Sequence, residues 1–293
     1  RKHGKFKSPL LVAIDRGFHS LADVLLQGGA VQEPDDVDSP MSRAIGMKRR
    51  DLVELLVEYG YRPESVEMTW VFASWEPGLM EYFIERGADV ETGNPFAWAF
   101  ISQIRTSLNV FRKYRERFPN IQEQANIALR HHCIKGNMKW ISLMLWAGAD
   151  PYTPGASSDS EELGEDREGT SALTLAAIHD HFDVFKSKKI RSDPTNPALQ
   201  EAIYFLCEDE GFEILAGFLS KGLNPNDQEN GGSSAIQGWL VHMSWDFDPW
   251  SREIRKRDID SDRARNKLKG IHLLARHGGR WGRDRRSDCG RWC

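Results

Sequence analysis

Residues 8–30 read SPLLVAIDRGFHSLADVLLQGGA, and residues 39–61 read SPMSRAIGMKRRDLVELLVEYGY. With the proline as position 0, Ala13 and Ala44 both fall at +4, Leu25 and Leu56 at +16, and Gly29 and Gly60 at +20. Ser-Pro suits a helix start, because the first N–H groups of a helix have no intrahelical partner and proline lacks one. Gly17 predicts the end of a short first helix. A second helix then carries Leu21, Val24 and Leu25 and stops at Gly28-Gly29.

The same cadence returns along the chain. LMEYFIERGAD (79–89), KWISLMLWAGADPY (139–152), ILAGFLSKGLNPN (214–226) and IHLLARHGGRW (271–281) each close an apolar run with glycine. SALTLAA (171–177) and NPFAWA (94–99) resemble the openings. Self-similarity at a fixed period marks a repeat array, so function is sought on a surface rather than in one pocket. Eight repeats are expected, opening near Pro9, Pro40, Glu67, Pro95, Ala128, Ala172, Pro197 and Ala235.

These pairs of helices, with Gly-Ala-Asp at 87–89 and 148–150, resemble the ankyrin repeat in a degenerate form. The resemblance implies an all-α, ankyrin-like helix-turn-helix repeat solenoid over residues 1–293. Each pair is too small to bury its own apolar stripe, so neighbours must stack into a continuous core. Ala13, Ala44, Ala99 and Ala176 let helices approach closely, and polar ends such as RKHGKFK suit the caps.

The pattern has interruptions. Gly60 and Gly87 are closer than the usual period, and the fourth repeat lacks its closing glycine, so its second helix is expected to run on to Pro119. Residues 153–169 hold six acids against one arginine and read as a mobile loop insertion. Residues 244–263 split the last repeat as a second insertion, and residues 264–293 form a basic C-terminal cap.

Composition narrows the function classes. A hydrophobic share of 40%, a charged share of 28% and a net charge of −4 describe an ordinary soluble domain and make no global case for nucleic acid or membrane. No apolar run reaches membrane-spanning length. The four cysteines are too few and too scattered for a disulfide framework, which predicts an intracellular protein with reduced thiols. The chain opens without methionine and reads as part of a longer protein.

Candidate chemistry is sparse. DIDSD (258–262) starts like a calcium loop but has Arg263 and Lys269 where such a loop needs glycine and glutamate. His131, His132 and Cys133 are adjacent on one helix and point in different directions, which suits packing better than a shared metal. Cys289, Cys293 and His277 match no zinc spacing. Residues 251–293 carry 14 Lys/Arg against 6 Asp/Glu. A zinc-dependent or nucleic-acid-binding activity of this region is the alternative reading. No phosphate loop, dinucleotide fingerprint or hydrolase motif occurs, and no cofactor is expected.

The expectation is a non-catalytic interaction or scaffold module whose partner is another protein. In ankyrin-like arrays partners meet the turns and the exposed ends of the first helices. Carried over repeat by repeat, that gives Arg16, Met47, Trp75, Ser102, Lys135, His179 and His242. Trp75 stands where the repeat has its mid-unit glycine. Trp245 and Trp250 in the second insertion are further candidate anchors.

Overall fold

The computed structural model describes residues 8–30, 39–157, 169–191, 196, 199, 202, 206, 211–226 and 261–279. They are helical, with no strand among the described residues. The helices run α1 (Pro9–Asp15), α2 (His19–Gln27), α3 (Pro40–Gly46), α4 (Arg50–Glu58), α5 (Met68–Ala73), α6 (Pro77–Glu85), α7 (Pro95–Ile101), α8 (Ser107–Tyr114), α9 (Ile121–Ile134) and α10 (Met138–Ala147). After them come α11 (Ala172–Ile178), a 3-10 segment (Phe182–Lys186), a single turn (Lys188–Arg191), α12 (Phe212–Ser220) and α13 (Ser261–Arg276). The described helices form an all-α series of helix-turn-helix pairs.

The serine openings cap their helices. Ser8 Oγ accepts the N–H of Leu11 at 3.2 Å, Ser39 Oγ that of Ser42 at 3.1 Å, and Ser171 Oγ that of Thr174 at 3.2 Å. Each satisfies one of the orphan donors of a helix start. The third and fourth repeats lack this device, since Glu67 and Asn94 make no side-chain cap. In the fourth, Gln124, fully buried on α9, takes its place. Its Oε1 accepts from Phe96 N at 2.8 Å and its Nε2 donates to Val90 O at 2.7 Å.

The turn between paired helices repeats in φ. Gly17, Lys48, Trp75, Gln103, Gly136 and Asp180 all sit at +8, with φ of 71°, 58°, 61°, 61°, 65° and 60°. The residue there donates back to the carbonyl at +5, as in Gly17 to Ile14 at 2.8 Å and Trp75 to Phe72 at 3.0 Å. These bonds satisfy carbonyls that the ending helix leaves open. The second helices of the first three repeats close on Gly29, Gly60 and Gly87, again with positive φ.

The molecule falls into two compact units, Arg1–Ala128 with Trp146–Ala149, and Leu129–Leu145 with Asp150–Cys293. In the first, α1, α3, α5 and α7 pack in succession, and each also packs on its own second helix. Phe72, Phe96, Phe100 and Phe111 form its aromatic centre, with Phe72 and Phe96 ring centroids 4.7 Å apart. Burying each such side chain contributes about 1.5–3 kcal/mol. The second helices are clasped at their surface. Tyr59 donates to Asp23 at 2.7 Å, Lys113 to Glu81 at 2.7 Å and Tyr114 to Glu85 at 2.9 Å. The Arg112 guanidinium lies 4.3 Å from the centre of the Trp146 ring.

In the second compact unit Arg130 is fully buried. Its Nε donates to Ala156 O at 2.6 Å and its Nη1 to Thr153 O at 3.2 Å. His181 Nε2 lies 3.0 Å from Ile134 O, and its ring crosses the face of Gly136 where a Cβ would stand. Phe185 meets Phe218 edge-on at 6.4 Å.

Several expectations are corrected. α8 stops at Tyr114 rather than Pro119, because residues 115–117 turn and Arg117 N bonds back to Tyr114 O. α9 starts at Ile121, seven residues before the expected opening at Ala128. Leu143, which the repeat predicts to be an inner-layer residue of the fifth repeat's second helix, is only half-buried, and Trp140, Ile141, Met144, Leu145 and Ala147 are the buried residues of α10. Residues 153–157 are not a loose loop, since Arg130 holds two of their carbonyls and Thr153 Oγ1 donates to Asp150 at 2.6 Å. In the first repeat Ala22 and Leu26 are buried, while Leu21 and Val24 are exposed. The repeat starts expected at Pro197 and Ala235, residues 158–168 of the first insertion, most of the second and the tail from Arg280 lie outside the described residues.

Candidate interaction surface

α1, α3, α5 and α7 are short, so the exposed face of each is defined by few positions. Residues at +3 and +7 lie one helical turn apart and share that face. At +7 stand Arg16, Met47 and Ser102, all exposed, as the sequence predicts. Lys135, in the second compact unit, is also exposed, whereas His179 is half-buried. His242, Trp245 and Trp250 lie outside the described residues.

Trp75 is one residue further on than this set. Ser74 holds the +7 place, is buried, and gives its hydroxyl to Val71 O at 2.6 Å while accepting from Glu76 N at 3.2 Å. Trp75 itself takes the left-handed place that Gly17 and Gly136 take elsewhere. It remains 46% exposed, so it does not fill a gap left by the shorter third repeat. A bulky side chain at such a φ costs about 1–2 kcal/mol against glycine.

Two further tryptophans define the face. Trp70 on α5 and Trp98 on α7 both occupy +3, and their helices pack against each other. They are 40% and 39% exposed. The same position holds Val12 and Arg43 in the first two repeats, with Arg43 Nε 3.9 Å from Asp15 Oδ1. Sequence reasoning missed this row because it followed the turn positions. The signal was present: both tryptophans stand three residues after an expected opening, Glu67 and Pro95.

Carboxylates of the first compact unit are held by local donors. Asp51 is held below the usual carboxylate range, first by its hydrogen bonds from Arg49. Asp89 in the loop before α7 is lowered by the Thr92 hydroxyl and then by the backbone N–H groups of Thr92 and Glu91. Both are the ordinary consequence of donors aimed at a carboxylate. In the second compact unit Cys133 is buried and its thiol is pushed well up by that burial, which makes it unreactive. Beside it His132 stacks on Trp140 with ring centroids 5.5 Å apart, a packing role.

Among the described residues no group of three or more His, Cys, Asp or Glu is placed to hold a metal ion. Cys289 and Cys293, and Asp258 and Asp260 of the calcium-like run, lie outside them. No described helix is long and apolar enough to cross a membrane.

No family model matches the chain, and no curated protein does. Among solved structures, the chain is similar to the ankyrin repeat domain of Bcl-3, described as a unique member of the IkappaB protein family. That likeness has a TM-score of 0.45 and 14% identity, over 80% of this chain and 95% of that one.

Proposed function

We propose that this chain is a protein-recognition module, non-catalytic in itself, whose partner docks on the exposed face of α1, α3, α5 and α7. The observation that carries this reading is the pair Trp70 and Trp98, repeated at one position on adjacent packed helices and left about two-fifths exposed. Tryptophan is among the residues most enriched at binding hot spots, because it buries much area at little entropic cost. Met47 beside them supplies an adaptable apolar contact, and Trp75 extends the face at the end of α5. Arg16 and Ser102 complete it at the turns, and Lys135, His179, His242, Trp245 and Trp250 are the further candidates.

The alternative of a zinc or nucleic-acid site near the C-terminus has no supporting arrangement among the described residues. Affinity capture from the native cell, quantified by mass spectrometry, tests the proposal. A specific protein retained by the wild type should be lost with Trp70→Ala and with Trp98→Ala. Each substitution should weaken binding of the purified partner by about 2 kcal/mol or more. Circular dichroism should show the fold unchanged. An identical captured set for wild type and both variants would remove the basis for the proposal.

A further inference from the structure

The exposed face of α1, α3, α5 and α7 carries opposite charge along its two edges. One edge is the turn that follows each of these helices, at positions +7 to +10. Across the four repeats it holds Arg16, Lys48, Arg49, Arg50 and Arg105 against a single acid, Glu76. Arg49 is paired with Asp51 at 2.6 Å and Arg50 with Glu54 at 2.8 Å. Arg16, Lys48 and Arg105 are exposed and make no ion pair among the described residues. The other edge is formed by the loops that lead into α5 and α7, where Glu64, Glu67, Asp89 and Glu91 stand against Arg62. Each sign suits its own helix end, since first-turn N–H groups favour anions and last-turn carbonyls favour cations. The fold therefore tolerates this polarity, and it remains available to a ligand.

Between the edges the face is apolar. Trp70 and Trp98 stand at +3, Met47 at +7 and Trp75 at +8. Asp15, at +6, is taken up by Arg43 at 3.9 Å. Gly46 and Ala73, also at +6, are exposed, and a Cβ on Gly46 would meet nothing within 4 Å. In the third repeat Ala73 thus falls between two large rings, a low point where a second chain can settle. Lys48 and Trp75 both occupy the left-handed +8 place, at φ of 58° and 61°, which Gly17 fills without strain. Both large side chains are kept on the turn edge against that backbone preference.

Taking this as the docking face proposed above, we infer that its occupant is an acidic peptide segment of another protein, with aromatic or leucine side chains interspersed among its Asp and Glu residues. The apolar side chains of the segment lie on Trp70, Trp98 and Met47, and its carboxylates meet Arg16, Lys48 and Arg105. Packed helices stand about 8–10 Å apart, so the three steps from α1 to α7 cover about 24–30 Å. An extended chain rising about 3.3 Å per residue spans that distance in about eight or nine residues. Charge complementarity of this kind sets which partner is accepted and how fast it arrives. A nucleic acid strand fits less well. Its charge is continuous along the backbone, and the acids at the far edge and the net charge of −4 oppose it.

Selection of displayed random peptides about ten residues long on the purified chain tests the inference, with retained peptides resynthesised and measured by fluorescence anisotropy. They should be rich in Asp and Glu next to Phe, Trp or Leu. Trp70→Ala and Trp98→Ala should each weaken them at least about tenfold, and so should Arg16→Glu combined with Lys48→Glu. The loss on charge reversal should shrink as salt is raised. Lys139→Glu, at an exposed site on α10, should change nothing. Circular dichroism should show each variant folded. Peptides that need the tryptophans but are neutral or basic, or are indifferent to the charge reversal, overturn the acidic occupant and leave the docking face standing. Peptides indifferent to both tryptophan substitutions, or no retained peptide at all, overturn both. A labelled oligothymidine that binds more tightly than the selected peptides and loses affinity with Trp98→Ala overturns the inference in favour of nucleic acid.

Discussion

Arg130 offers the sharpest test of how the second compact unit is held. It is a fully buried guanidinium whose two described donors go to the carbonyls of Ala156 and Thr153. Replacing it with methionine keeps most of the volume and removes both bonds. Each bond from a charged donor contributes about 1.5–3 kcal/mol, so the gross loss is about 3–6 kcal/mol. Two effects reduce that figure. The variant no longer desolvates a charge, and Ala156 is exposed, so its carbonyl can turn to water. The net destabilisation should be about 2–3 kcal/mol. Urea unfolding followed by circular dichroism measures it, and hydrogen exchange should locate the loss at residues 151–157 and at Leu173, whose N–H bonds Pro151 O at 3.4 Å. Arg130→Lys should recover part of the stability, because an ammonium keeps the charge but cannot reach both carbonyls with a planar fork. Gly155→Ala should mimic the defect, since a Cβ there would stand 2.8 Å from Arg130 Nη2. A loss below about 0.5 kcal/mol for Arg130→Met, with unchanged exchange at 151–157, would refute the anchoring argument.

Lys48→Gly and Gln103→Gly should each stabilise the protein by about 0.5–1 kcal/mol in urea melts, because both are exposed residues held at positive φ. Gly136→Ala should destabilise it by about 2 kcal/mol or more, since the new Cβ would fall 2.5 Å from the His181 ring at a strained φ. The folded-state pKa of Asp89 is depressed, so its contribution is present above its unfolded value of 3.8 and is lost as pH falls through the lower folded value. Thermal melts of Asp89→Asn should therefore differ from wild type at neutral pH and converge with it in acid below that range.

The repeat was legible because its marks are local. Ser8, Ser39 and Ser171 cap the helices they precede, and Gly17, Gly29, Gly60 and Gly87 sit where the chain must turn left-handed. The exposed face of the first helices was legible in outline, since Arg16, Met47 and Ser102 are exposed on it. Trp70 and Trp98 were not recognised, because an aromatic at helical spacing reads as core until neighbouring helices are placed around it. Leu21 and Val24 failed in the opposite sense: they are exposed, although the same repeat positions are buried in the second, third and fourth repeats. Arg130 and Gln124 had no sequence signal at all, because their partners are carbonyls and N–H groups more than twenty residues away.

The cap that Gln124 supplies to α7 has a consequence for the order of folding during synthesis. Helices that begin on their own serine can close their first turn as soon as they leave the ribosome. α7 lacks a side-chain cap of its own, and the amide that receives Phe96 N belongs to a residue 28 positions later in the chain. Its first turn stays incomplete until α9 has emerged and folded. The fourth repeat therefore completes its first turn together with α9 rather than ahead of it, and a nascent chain from which Gln124 has not yet emerged leaves Phe96 N without that acceptor.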